Sequence, residues 1–151
     1  MWPRFMACIA DANVLFPLLI DGHAVHAVAR QWWEEQEDDT VGLCLLTRLA
    51  VLRLLTNRIA MNGEPITPGK ALKAWQQIAN DPRSTLIDAE PASHEKFFVT
   101  LVSGRQPTPN LWTDAWLAAL AQALDFELAT FDRGFRSFKG VRLRLLSLPS
   151  E

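Results

Sequence analysis

No stretch of this sequence stays apolar for long enough to span a bilayer, so a membrane-spanning helix is not expected. Cysteine is scarce: Cys8 and Cys44 are the two in 151 residues, each inside an apolar run and neither with a ligand partner at zinc spacing. Two buried reduced thiols are therefore expected, rather than a disulfide or a Cys/His zinc site. Net charge is small as well. A formal −2 gives no global pull toward nucleic acid, so any such role must rest on a local basic patch. A glycine-rich loop to cradle phosphates is absent, which argues against nucleotide-dependent enzymes. No repeat, low-complexity tract or linker divides the chain. The opening MWPRFMACIAD carries too short an apolar run for a signal peptide and leads straight into a polar turn. The expectation is a cytoplasmic protein folding as a single domain over residues 1–151.

With 49% hydrophobic and 21% charged residues, composition is that of an ordinary globular protein, and wholesale disorder is excluded. Residues 5–10 form a nearly unbroken apolar run, the mark of a strand buried on both faces, and a helical pattern follows from Asn13. A helix is predicted over 23–37, with Ala24, Val25, Val28, Ala29, Trp32 and Trp33 as its stripe. Its acidic end, Glu34 to Asp39, opposes the helix dipole and reads as solvated. His23 and His26 read as surface or cap residues. Residues 41–45 make a strand and 47–56 an apolar helix interrupted by Arg48 and Arg53. Thr67 caps the next helix, with Pro68 at its first position and Leu72, Trp75, Ile78 and Ala79 as its stripe. A strand over 84–88, a helix over 94–103 and a proline-bearing loop over 104–110 follow. Residues 112–124 are helical and 127–130 a strand. In 141–145 apolar and basic residues alternate, as on an edge strand with one wet face. Strands alternating with helices predict an α/β layer fold with a largely parallel sheet.

In such folds the site lies beyond the carboxyl ends of the strands. Asp11 and Asp132 both fall there. Asp114 falls near a helix start, on the face it shares with Leu117, Ala118 and Ala121, where an acid is costly unless paired or metal-bound. Read singly, Asp11 is also a plausible N-cap and Asp114 a favourable charge at a helix N-terminus. Together they are candidates for one pocket, a catalytic and metal-binding cluster suited to a hard divalent cation, Mg²⁺ or Mn²⁺. Asn13 and Thr130 would orient these acids, and Thr113 is a cap or a further hydrogen-bonder. Arg133, Arg136, Lys139, Arg142 and Arg144 follow Asp132 with no acid among them, and Arg53 is placed at the pocket rim. They read either as contacts to a phosphate-bearing partner, with Arg53, Arg133 and Arg136 foremost, or as a solvated basic edge. Trp32, Trp33, Trp75 and Trp116 are expected in the core or a dimer interface. For Trp112 packing is favoured over stacking on a base.

With those residues in place, the chain resembles a PIN-domain ribonuclease, specifically the VapC-type toxin of a VapBC toxin–antitoxin pair. The resemblance rests on IADANVLFPLL, LLTRLAVLRLLTNR, TDAWLAALA and LATFDRGF and covers essentially the whole chain. It implies a PIN-like three-layer fold in which helices flank the sheet. The family's first, third and fourth acids match Asp11, Asp114 and Asp132. Its second, usually a Glu on the helix after the second strand, falls at Ala50. The resemblance further implies a homodimer, a cognate VapB-type antitoxin that plugs the site, and divalent-metal-dependent endonucleolytic cleavage of single-stranded or looped RNA. The runner-up is a catalytically weakened PIN-like module that only binds RNA or antitoxin, for want of an acid at Ala50. A receiver-type signalling domain would need paired acids at the first strand end and a lone Asp at the third; neither pattern is present.

Overall fold

The structure, a computed structural model, describes residues 7–149. In chain order the elements are β1 (Cys8–Ala10), α1 (Ala12–Leu18), α2 (His26–Glu34), β2 (Val41–Leu43), α3 (Leu45–Leu55) and α4 (Pro68–Ala79). Then come β3 (Ser84–Leu86), α5 (His94–Val102), α6 (Leu111–Leu124), β4 (Glu127–Thr130), a 3₁₀ turn (Arg133–Ser137) and β5 (Leu143–Leu145). Every strand pair is parallel and the order is β3-β2-β1-β4-β5. The sheet is therefore wound in both directions from β1, and the switch point falls between β1 and β4.

Side chains alternate across the strands, and each face has its own core. Cys8, Ala10, Val41, Leu43 and Ala129 pack with Val14, Leu15, Trp32, Trp33, Val51 and Trp75 from α1 to α4. Ile9 and Leu128 pack on the other side with Leu101 of α5, Leu117 and Leu120 of α6, and Phe135 and Phe138. That is the three-layer PIN-like arrangement expected. Both cysteines are free and buried, and burial pushes the Cys8 thiol up to about 12, so it stays protonated. Among the described residues no helix is long and apolar enough to cross a membrane.

Several elements are shorter than the sequence pattern suggests. Of the strand expected over 5–10, Phe5 and Met6 lie outside the described residues, and pairing covers Cys8–Ala10. The helix expected over 23–37 starts only at His26 and stops at Glu34. Before it, the His23 ring accepts a hydrogen bond from the Val25 amide (3.2 Å), a local side-chain bond that competes with helix. His26 Nδ1 donates to the Pro17 carbonyl (2.8 Å), anchoring the new helix to the end of α1. At the far end the acidic residues oppose the dipole, and Glu34, Glu35, Glu37, Asp38 and Asp39 are all exposed. α3 starts two residues earlier than expected, and Thr47 returns its hydroxyl to the Cys44 carbonyl (3.0 Å). The cap on α4 is as expected, with Thr67 accepting from the Lys70 amide (3.3 Å). Its apolar stripe is shifted: Ala71 is buried and Leu72 is 42% exposed.

Candidate active site at the β1–β4 switch point

Asp11 ends β1 and stands in the N-cap position of α1 on extended backbone, yet its side chain makes no capping bond. Its Oδ2 instead accepts the hydroxyl of Thr130 (3.0 Å), the last residue of β4. Parallel pairing of Ala10 with Ala129, and the bond from Asp11 N to the Ala129 carbonyl (2.8 Å), bring these two strand ends together. Thr130 is wholly buried, and its oxygen also accepts from the Asp132 amide (3.0 Å) and from Asn13 Nδ2 (3.1 Å). Asn13 Oδ1 in turn accepts the Phe131 amide (3.2 Å). One hydroxyl thus joins Asp11, Asn13 and the backbone of Asp132, using its full hydrogen-bonding capacity. Asp132 lies exposed just beyond and caps the 3₁₀ turn, Oδ1 accepting from the Gly134 amide (2.8 Å).

Asp114 comes from the other core layer. α6 runs antiparallel to β4, so its first turn returns to the carboxyl end of the sheet, with Asp114 on the side of buried Leu117, Ala118 and Ala121. The buried His94 ring donates from Nε2 to the Trp116 carbonyl (3.0 Å) and meets the Trp116 ring edge-on, fixing that part of α6 against α5. Burial first, then the charges of Asp11 and Asp132, push the Asp114 carboxyl up to about 6. Burial also raises Asp11, against the Thr130 hydroxyl and the nearby Ala12 and Asn13 amides, while Asp132 adds to the rise. The three acids therefore feel one another's charge. Among the described residues none of them has a salt-bridge partner.

An all-carboxylate donor set with no protein cation to balance it suits a hard divalent ion. The acids are not drawn up into a coordination shell: among the described residues no group of three His, Cys, Asp or Glu side chains stands where it could hold a metal ion. Mutual repulsion between like charges opposes such an approach. A cavity of about 370 Å³ lies elsewhere, lined by Leu18, His26, Trp33, Asp81 and Arg83, with none of the three acids in its wall.

Other residues singled out in the sequence fare differently. Thr113 is exposed and returns its hydroxyl to the Asn110 carbonyl (3.2 Å), while Asn110 holds the N-cap position. Ala50 is half-buried against the core of the α1–α4 layer. Arg53 sits in the last turn of α3, eight residues past Leu45, roughly 12 Å along the helix and away from the strand tips. Arg142 is tied to Asp125 (2.8 Å) and Arg144 to Glu35 (3.5 Å), so neither belongs to a free basic patch. Arg133, Arg136 and Lys139 are exposed and form no ion pair among the described residues. Trp112 is 62% exposed in the first turn of α6, contrary to the packing expected of it, because Phe98 covers only part of its ring. The proline-bearing loop contributes a residue that sequence pattern did not mark, Arg105, whose three guanidinium nitrogens are all bonded. A lone arginine in a loop carries no periodic signal.

Comparison with known proteins agrees with this fold. The PIN domain family model matches residues 8–141. Ribonuclease VapC41 of Mycobacterium tuberculosis is 34% identical over 143 residues, which cover 92% of this chain and 98% of that protein. Among solved structures, VapBC2 from Rickettsia felis, bound to a DNA fragment from its promoter, superposes with a TM-score of 0.65. Its identity is 14%, with 94% of this chain and 100% of that one covered. Mycobacterium tuberculosis VapC20, a sarcin-ricin loop cleaving toxin, gives a TM-score of 0.61 at 20% identity, covering 90% and 99%. Matched over nearly its whole length by the family model, and carrying acids at both sides of the switch point, the chain belongs to the PIN-domain family.

Proposed function

We infer that this chain is a divalent-metal-dependent endoribonuclease, the toxin of a type II toxin–antitoxin pair. The carrying observation is that Asp11 and Asp132, at the ends of β1 and β4, are tied together through the buried Thr130 hydroxyl, with no salt-bridge partner for either among the described residues. Kinship with Ribonuclease VapC41 supplies the substrate class, RNA, and the neighbouring VapBC assemblies supply the partner class, a VapB-type antitoxin. The further proposals are a homodimer working in the cytoplasm, one PIN domain over residues 1–151, and Mg²⁺ or Mn²⁺ as the ion.

Asp11 and Asp132 would hold the ion, and Asp114 would bind it directly or through water. Such an ion neutralises charge developing on phosphorus and makes water a better nucleophile. Thr130 and Asn13 keep the Asp11 carboxylate and the Asp132 backbone in fixed register, so little reorganisation is needed when RNA arrives. Asp114, with a carboxyl titrating at about 6, is suited to take the proton of the attacking water near neutral pH. Arg133 and Arg136, directly after Asp132, would bind flanking phosphates. Asp11→Asn and Asp132→Asn are each expected to lower metal-dependent RNA cleavage by two or more orders of magnitude, roughly the scale of losing a key charged group. Wild-type cleavage by either variant in a gel assay would overturn the assignment.

A further inference from the structure

Asp132 is linked by hydrogen bonds to the loop that follows α5. Arg105, in the loop that follows α5, donates from Nε to the Leu101 carbonyl (3.0 Å). Its Nη1 donates to Ser137 Oγ (2.6 Å) and its Nη2 to the Ser137 carbonyl (2.6 Å). The guanidinium also lies 4.3 Å over the ring of Phe138, itself buried against Phe135. The Ser137 hydroxyl donates to the Gly134 carbonyl (2.8 Å), and the Gly134 amide donates to Asp132 Oδ1 (2.8 Å). The bonds run without a gap from Arg105 through Ser137 and Gly134 to the Asp132 carboxylate.

The fit along this path is close. A Cβ placed on Gly134 would stand 3.0 Å from Asp132 Oδ1, so a side chain at 134 would press on the carboxylate that the Gly134 amide holds. Every nitrogen of Arg105 is engaged by neutral oxygen acceptors within the chain, and it forms no ion pair among the described residues. With three of its five N–H donors spent on Leu101 and Ser137, this cation is placed to brace the turn. Lysine has the charge but lacks the planar fork that spans the two Ser137 oxygens.

We propose that Arg105 is a positioning residue for Asp132, acting through the 133–137 turn to aim the carboxylate at the ion it binds. This rests on Asp132 being a metal-binding acid. The test compares Arg105→Lys, Arg105→Ala, Ser137→Ala and Asp132→Asn in the full chain. Mn²⁺ alone is titrated calorimetrically, and RNA cleavage is resolved into kcat and KM across salt concentrations. Arg105→Lys is expected to weaken Mn²⁺ binding and lower kcat by about tenfold, the lower end for a residue supporting a ligand. KM and the salt slope of RNA binding stay as in wild type, since every cation that meets a phosphate is still in place. Ser137→Ala, which removes the hydroxyl that links Arg105 to the Gly134 carbonyl, moves both quantities the same way by at least as much. In the Asp132→Asn background, Arg105→Lys changes Mn²⁺ binding no further.

Wild-type Mn²⁺ affinity and kcat in both Arg105→Lys and Ser137→Ala, with Asp132→Asn inactive, would overturn the positioning role and leave the site intact. A fall confined to KM and salt slope in Arg105→Ala, rescued by lysine, would make Arg105 a phosphate-binding residue instead. Undiminished cleavage by Asp132→Asn would remove the site assignment, and this proposal with it. Should Arg105→Lys fail to fold by circular dichroism, Ser137→Ala carries the same comparison.

Discussion

At the scale of single residues, the site turns on how charge and hydrogen bonds are divided among the acids. Thr130 serves Asp11, Asn13 and the Asp132 amide with one buried oxygen, whereas Asp114 has only burial and two like charges around it. Its carboxyl rises from 3.8 to about 6, so between those values the folded chain binds more protons than the unfolded one. Stability then falls as pH rises through that window, because ionising Asp114 is harder in the fold than out of it. Without divalent ion, the melting temperature is expected to drop between pH 4 and pH 7, and Asp114→Asn should flatten that slope. Added Mn²⁺ should raise the melting temperature more at pH 7 than at pH 5, since ion and proton compete for the same oxygens. Calorimetric melts across pH, with and without Mn²⁺, check both signs.

Among the elements, periodicity was a sound guide wherever the chain's own neighbours decide the outcome. α6 and β4 lie where the apolar spacing put them, because Leu117, Ala118 and Ala121 share a helical face and Leu128 and Ala129 are fully buried strand residues. The α4 cap was legible from Thr67 and Pro68 alone. Thr67→Ala is expected to cost about 1 kcal/mol of stability by urea denaturation. RNA cleavage should be unchanged, since α4 packs on β3 and α3 rather than beside the acids. The start of α2 was not legible. There a histidine side chain captures a backbone amide and a second histidine reaches back to Pro17, and neither bond leaves a trace in apolar spacing.

For the molecule as a whole, a formal charge of −2 conceals a local imbalance. Two of the five basic residues after Asp132 are taken up by Asp125 and Glu35, which leaves Arg133, Arg136 and Lys139 exposed and outside any ion pair among the described residues. Reversing Arg133 and Arg136 to glutamate should weaken RNA binding and reduce the slope of log affinity against log salt. The reduction should be about 0.7 for each phosphate no longer neutralised. Filter binding across salt concentrations measures it. An unchanged slope would remove these two arginines from the RNA interface.

What the chain's order of residues settled by itself was local: which stretches are apolar at period two or near four, and that Asp11 and Asp132 close strands while Asp114 opens a helix. Those follow from short-range periodicity and from the residue types a helix start or strand end accepts. Only the tertiary structure decided that β1 lies beside β4, so that Thr130 meets Asp11 across 119 positions of sequence. It also decided that Arg53 ends up at the far end of α3, that Trp112 faces solvent, and that Arg105 reaches Ser137. Strand order and long-range side-chain bonds depend on how whole layers pack, and that information is absent from the spacing of residues along one segment.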